Sequence, residues 1–545
     1  MKDTEIYPDE ILIDSENIPK FDIQQFEGRL EKPITKKTFW FLSFFLGLLL
    51  FFLFTKIFYL QIVQGKALAE RGEKNSLRQE IVLPPRAIIS DRRGIKLAWD
   101  EGESRNYIDL SGFSHILGYT GLPSKEDLET EGALLMNEKI GKDGIEKKYE
   151  NVLRGTPGVK LVEVDSQHNI TSESVQSLPQ SAENFNLTID SRIQSHFFQI
   201  MASVAKGYNF QGGAGIILDA NTGEVLSLVS WPEYDPKNLE SFLGDKSKSF
   251  LNRAIAGLYA PGSIIKPLIA LGALNEGTIS PEKQIFSSGS ISIPNPFFPD
   301  KQSVFHDWRP NGWCDMRRAL AVSSDVYFYE VGGGFEGQRG LGIGKIEEYA
   351  EKFGLTSKTG IDLYGEEQGT VPSPELKAKS NTSDKIWRVG DTYNASIGQG
   401  YFHITPIEMA VYVTAIANNG KIIKPYLVAR SSASNLEAEL PSEIAIPEEY
   451  FQIVKEGMRM AVTEGTATAL NVARVNIAAK TGTAQIDPVK KTVNSWVIGF
   501  FPYENPKYVF TVVMEKGPAS SATGASYIMS QLIEWMSIYT PEYLK

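Results

Sequence analysis

One stretch limits what this chain can be. Thr38 to Thr55 is an uncharged, mostly apolar run of 18 residues, continued past Lys56 by IFYLQIV. As a helix it is long enough to cross the roughly 30 Å hydrocarbon core of a bilayer. A cleaved signal peptide has a shorter apolar core closer to the N-terminus, so the small-residue triplet Ala67-Leu68-Ala69 is not read as a cleavage site. The expectation is a single transmembrane helix over 38–60. Arg29, Lys32, Lys36 and Lys37 precede it, against Lys66, Arg71 and Lys74 after it. That slight positive-inside bias puts the N-terminus in the cytoplasm and the bulk of the chain on the extracytoplasmic side, periplasmic or outer face. Residues 1–37 hold 9 acidic and 6 basic side chains with little periodicity and read as a cytoplasmic tail.

Composition removes several function classes. The 55 Lys and Arg against 66 Asp and Glu give a net charge of −11, the wrong sign for a general nucleic-acid binder. A single cysteine, Cys314, excludes an intrachain disulfide, and 5 histidines offer little for a multi-ligand zinc site. No metal or cofactor is expected.

Beyond the anchor the texture changes once. Over 61–186, short apolar segments (Gln79 to Leu83, Ala87 to Ser90, Gly158 to Val164) alternate with turn signals such as Asp91-Arg92-Arg93-Gly94, which predicts a β-rich pedestal. From about 187 to 545, helical spacing at Ile193, Phe197, Ile200, Met201 and Val204 precedes a hairpin signature, AGIILD and EVLSLVS around Asn221-Thr222-Gly223. Near the other end NIAAKTGTA, NSWVIGFFP and YVFTVVME read as strands before a helix from about Ile528 to Met536. Two strands, a helical middle and three strands predict an α+β domain, with one antiparallel sheet built from both ends and flanked by helices.

Three elements of that domain carry chemistry. Ser263-Ile264-Ile265-Lys266 follows a Pro261-Gly262 turn and opens an apolar stretch in which Lys266 is the only charge before Glu276. A lysine buried without a partner loses proton affinity, and one turn of helix brings it beside Ser263, as a general base beside a nucleophile. Ser203-Lys206 and Ser280-Lys283 match the same S-x-x-K spacing but read as an amphipathic helix and a helix cap. The second element, Ser323-Ser324-Asp325, taken alone is a helix cap. The third is Lys480-Thr481-Gly482-Thr483, a cation, two hydroxyls and a glycine on a strand among small neighbours, suited to a substrate carboxylate. Lys358-Thr359-Gly360 repeats the triplet after a helical segment and leads into a loop.

In the order S-x-x-K, S-x-[DN], K-T-G, the three elements resemble the signature of penicillin-binding proteins and serine β-lactamases. PPRAIISDRRG at Pro84 is similar to the R-G-x-I-x-D-R-x-G segment of class B enzymes, with Ala87 in place of the usual Gly. HILGYTG at His115, IGKDGIEKKYENVLRGTPG at Ile140 and GDTYNASIGQGYFHITPIEMA at Gly390 extend the match. The last of these resembles the elongation-type, penicillin-binding protein 2-like branch.

The resemblance implies a D,D-transpeptidase that cross-links peptidoglycan stem peptides through an acyl-enzyme and is a target of β-lactams. Ser263 would attack, Lys266 would take its proton, Ser323 would relay a proton to the departing D-Ala and Lys480 would tune the field. Backbone N–H groups of Ser263 and Thr483 would hold the oxyanion. Thr481 and Thr483 would bind the terminal carboxylate with Gly482 between them in the substrate site, and Asp325, standing where Asn is commoner, would be a further substrate-binding residue. A chain without a glycan-polymerising domain also implies a SEDS-family glycosyltransferase and the elongation complex as partners. Arg86, Asp91, Arg92 and Arg93 are candidates for that coupling, with a solvated turn as the alternative. A D,D-carboxypeptidase differs only in letting water resolve the acyl-enzyme. A β-lactamase needs a deacylating base that is not identifiable here, and a sensor needs more than a 37-residue intracellular tail. A non-catalytic scaffold would keep the fold without turnover. No G-x-S-x-G elbow is present.

Overall fold

The computed structural model describes residues 36–102, 104–130, 138–164, 169–298, 300–380, 382–430, 442–487, 489, 491–521 and 523–545. The tail reading for residues 1–35, with Arg29 and Lys32, lies outside the described residues. Two compact units form: 1–82 with 158–178, and 83–157 with 179–545.

In the first unit the apolar run is helical over Lys36–Phe58 and continues as a π-helical turn over Tyr59–Val63, with every residue of the helix exposed. Its length and composition suit a membrane crossing, and among the described residues it is the one helix that meets both conditions. A second helix, Gly65–Ser76, leads into an antiparallel sheet in which Gly158–Val164 lies between Leu77–Val82 and Ile170–Ser177.

The second unit contains a small sheet (104–107, 96–101, 89–90 and 185–186) and short helices between 114 and 153. The Pro84 to Gly94 segment is built into this unit. Arg86 Nη2 meets Glu146 at 2.7 Å and Glu150 at 2.9 Å. Buried Asp91 accepts from the N–H groups of Arg93 and Ile95 and from the Ser191 hydroxyl at 2.6 Å. The solvated-turn reading therefore fails for Arg86 and Asp91. Their charges are spent on internal partners, while Arg92 and Arg93 are exposed.

The main sheet follows the predicted plan. Strands β1 (Gly212–Asp219) and β2 (Val225–Trp231) come from the start of the domain, and β5 (Ala478–Asp487), β6 (Thr492–Phe501) and β7 (Tyr508–Pro518) from its end. Their order is β2-β1-β7-β6-β5, antiparallel throughout, which leaves β5 at an edge. Strand side chains alternate between the faces. Phe510, Val512 and Met514 face helices α1 (Ser191–Gly207) and α8 (Ala525–Tyr539), and Val509 and Val513 face the opposite core.

That opposite core is packed by α2 (Lys266–Asn275), α6 (Pro406–Ala417) and α7 (Glu448–Thr463). Helix α6 is buried at every position and carries a Thr405–Glu408 capping box. Between these elements lie the hairpin β3 (Ser290–Pro294) and β4 (Gln302–His306), with helices α3 (Met316–Val322), α4 (Asp325–Gly333) and α5 (Val389–Ser396).

Candidate active site

Three backbone devices bring the motifs together. Ser263 sits in a 3₁₀ turn, Gly262–Ile265, that runs directly into α2. A Cβ on Gly482 of β5 would lie 2.9 Å from both Pro261 O and Ile264 Cγ2, so only glycine lets this turn press on the edge strand. Trp496 Nε1 donates to Ala260 O at 3.0 Å and ties the turn to β6. On its other side Gly262 N–H donates to Gly398 O at 2.9 Å. Gly398 has φ +73°, and a Cβ there would fall 2.2 Å from Gly262 O.

Ser323 caps the end of α3 in the left-handed region, φ +58°, and Ser324 caps the start of α4 by accepting from Tyr327 N–H. Ser324 also donates to buried Asp307 at 2.7 Å, which accepts from Ser287 as well. The cap and the lysine contacts of this motif thus fall on neighbouring serines: Ser324 caps and Ser323 faces the lysines.

Lys266 and Lys480 are both fully buried and converge on Ser323. Lys480 Nζ lies 2.8 Å from Ser323 Oγ, and Lys266 Nζ lies 3.3 Å from the same oxygen and 2.9 Å from Ser323 O. Lys266 also meets Asp325 Oδ1 at 2.6 Å. This corrects the expectation that Lys266 is buried without a partner: the sharp turn at Ser323 starts α4 over α2 and brings the Asp325 carboxylate with it. Burial, and then the Lys266 charge beside it, push Lys480 well below the ordinary lysine range, opposed by Asp325.

Ser263 Oγ has no hydrogen-bond partner among the described residues and is half-buried, at the wall of a cleft of about 810 Å³. Asp325 and exposed Thr483 line the same cleft, while Lys266, Ser323 and Lys480 are packed behind it. Thr481 Oγ1 donates to Thr466 Oγ1 at 2.6 Å.

Sequence reasoning missed Thr466, and also His306, Tyr329, Asn394, Gln399 and Gly400, which line the cleft. Gly398-x-Gly400 carried a turn signal of its own, two glycines just past a helix. His306 and Tyr329 carried none, since the small core of Ile291, Val326, Tyr329 and Tyr393 that seats the hairpin on α4 and α5 is a tertiary feature. The decoys fall elsewhere. Ser203 is exposed on α1, Ser280 sits in a turn rather than a helix cap, and Thr359 and Gly360 are bonded to Glu366.

Comparison with known proteins agrees with this geometry. Residues 213–534 match the family model of the penicillin binding protein transpeptidase domain, and 77–187 that of the penicillin-binding protein dimerisation domain. Peptidoglycan D,D-transpeptidase MrdA of Salmonella typhimurium is 31% identical over 471 residues, covering 79% of this chain and 72% of that protein. MrdA of Haemophilus influenzae is 30% identical over 463 residues, covering 77% and 67%. Pseudomonas aeruginosa PBP2, solved in complex with WCK 5153, has a TM-score of 0.70 at 29% identity and covers 85% of this chain and 98% of that one. Helicobacter pylori PBP2, solved in complex with MreC, shares the fold with a TM-score of 0.72 at 24% identity, covering 85% and 100%. The chain belongs to the penicillin-binding protein transpeptidases, as a class B member of the elongation type.

Proposed function

We propose that this chain cross-links peptidoglycan as a D,D-transpeptidase of cell elongation, with Ser263 as the acylated residue. The observation that carries the reading is the convergence of two buried lysines on the Ser323 hydroxyl, behind a cleft whose wall holds an unpartnered serine. Two ammonium groups so close in a buried site disfavour each other, so one amine of the network is the proton acceptor.

Ser263 Oγ attacks the carbonyl between the terminal D-alanines, and its proton passes to Lys266. Backbone N–H groups of Ser263 and Thr483 receive the oxyanion. Ser323, between the two lysines, gives a proton to the departing D-Ala amine and regains one from the network. The amine of a second stem peptide then attacks the acyl carbon, releases its proton to the same network, and Ser263 leaves with one. Thr483, with Thr481 turned from Thr466, holds the terminal carboxylate at the open edge of β5, where an extended peptide adds as a further strand.

Residues 1–37 are read as the cytoplasmic tail, 38–60 as the anchor, 61–186 as the pedestal and 187–545 as the catalytic domain on the extracytoplasmic side. A SEDS-family glycosyltransferase within the elongation complex is the proposed partner. One fold neighbour was solved within a peptidoglycan synthase complex that coordinates polymerization and crosslinking, at a TM-score of 0.70 and 24% identity.

Product analysis tests the activity. The purified chain, given a pentapeptide donor and an amine acceptor, is expected to release D-Ala and form a cross-linked product. Release of D-Ala with only a shortened tetrapeptide would assign a D,D-carboxypeptidase instead. An acyl-enzyme that neither reaction resolves would assign a β-lactam-binding scaffold.

A further inference from the structure

The cleft above Ser263 is lined by two oppositely charged side chains at different places. Asp325 is committed to Lys266. Lys491 is exposed, lines the same cleft and forms no ion pair among the described residues. Its backbone is held in place there: φ is +51°, a region that a side chain with a Cβ seldom adopts, and its carbonyl accepts from Ala519 N–H at 2.8 Å, Ala519 being another cleft residue. Among the described residues no ion pair accounts for a cation on this wall of the cleft.

Its distance from the reacting serine is set by the hairpin. Gln485 pairs with Val493 and Asp487 with Thr492, so Lys491, just before Thr492, lies level with the end of β5. That is about 13 Å along the strand from Thr483, at about 3.3 Å per residue. The direction of the substrate follows from the function proposed above, on which this inference rests. The terminal carboxylate lies at Thr481 and Thr483 and the scissile carbonyl at Thr483 N–H, so the earlier residues of the donor run past Gln485 toward Lys491.

We propose that Lys491 binds a carboxylate carried by the donor stem peptide upstream of its D-alanyl-D-alanine end, and so selects donors that are anionic at that distance. Two positions in a stem peptide supply such a group: the free carboxylate of the γ-linked second residue, and the side-chain carboxylate of a diamino dicarboxylic acid at the third. The recognition is a single point charge on a flexible stem, which takes one of these two positions, and the two amidated donors decide which.

The test uses the full-length chain in detergent, as wild type, Lys491→Gln and Lys491→Arg. Three pentapeptide donors are compared: one with both carboxylates, one amidated at the second residue and one amidated at the third. Each kcat/KM for D-Ala release is referred to benzylpenicillin acylation of the same preparation, a ligand without a carboxylate at that distance. Lys491→Gln is expected to lower kcat/KM for the doubly anionic donor about 3- to 5-fold, the range of a partly exposed charge pair, through KM rather than kcat. Lys491→Arg should restore most of it. The amidated donor that no longer responds to Lys491→Gln identifies the carboxylate. Equal loss for all three donors, or loss for none, overturns the proposal. A wild-type chain that takes no penicillin contradicts the parent reading and this one with it.

Discussion

Two groups of buried charges in the larger unit are built on opposite plans. Around Arg86, the guanidinium groups meet carboxylates: Arg86 bonds Glu146 and Glu150, and Arg105 bonds Glu146 at 2.7 Å, Asp100 at 3.0 Å and Ala87 O at 2.9 Å. Burial alone would pull the Arg86 pKa down, and Glu146 and Glu150 more than reverse it. Around Ser323, two amines share one hydroxyl, a single carboxylate pairs with Lys266, and burial followed by the neighbouring Lys266 lowers Lys480. The same buried-charge chemistry gives a fixed joint where each guanidinium has carboxylate partners, and leaves cations in excess where two amines meet a single carboxylate.

Lys266 is the position where a substitution should cost the most activity. Lys266→Arg keeps a cation but supplies no base at neutral pH, so Ser263 acylation should fall by about 10²- to 10⁴-fold, with an unchanged circular dichroism spectrum. Stopped-flow or gel-based labelling with a fluorescent penicillin reads the rate, and near-normal labelling would reduce Lys266 to a charge.

Arg86→Ala should act on the other cluster in the other currency. Removing one partner leaves Glu146 and Glu150 buried and under-compensated, for a loss of about 3–5 kcal/mol of stability in denaturant unfolding. The fraction that stays folded should acylate at the wild-type rate. Charge changes at Arg86 and Asp91 therefore report on folding before they report on any coupling to a polymerase.

The meeting of Lys266, Ser323 and Lys480 was legible in the sequence because the three residues sit in short motifs whose order is specific. The five-stranded sheet was legible for a similar reason, since AGIILD, EVLSLVS and the three C-terminal runs each alternate or stay apolar over strand lengths. The Arg86 cluster was not legible as a buried one, because its partners, Glu146 and Glu150, lie about sixty residues away and read as ordinary polar positions of short helices. Asp325 was read through the residue it replaces rather than through Lys266, because the ion pair exists only once the left-handed turn at Ser323 sets α4 against α2. The cleft wall from His306 and Tyr329 depends in the same way on a hairpin seated by its own small core.

Asp325→Asn removes the one carboxylate of the Ser323 network. Asp325 raises the proton affinity of Lys480, which shares the Ser323 hydroxyl with Lys266, so its removal should let the joint network accept a proton at lower pH and move the rising limb of acylation against pH toward acid. A pH profile of penicillin acylation measures it, and a move toward alkali would mean that Asp325 acts otherwise than by its charge. Trp496→Phe should have the smallest effect, about 1 kcal/mol of stability from the lost bond to Ala260 O, with a modest fall in acylation as the Ser263 turn loosens from β6.

Every step proposed for this site starts from acylation of Ser263. Mass mapping of the penicillin adduct on the full-length chain tests it most directly. A single adduct on the peptide containing Ser263, absent from Ser263→Ala, is the predicted result. An adduct on Ser203, Ser280 or any other serine, or labelling that persists in Ser263→Ala, would contradict it.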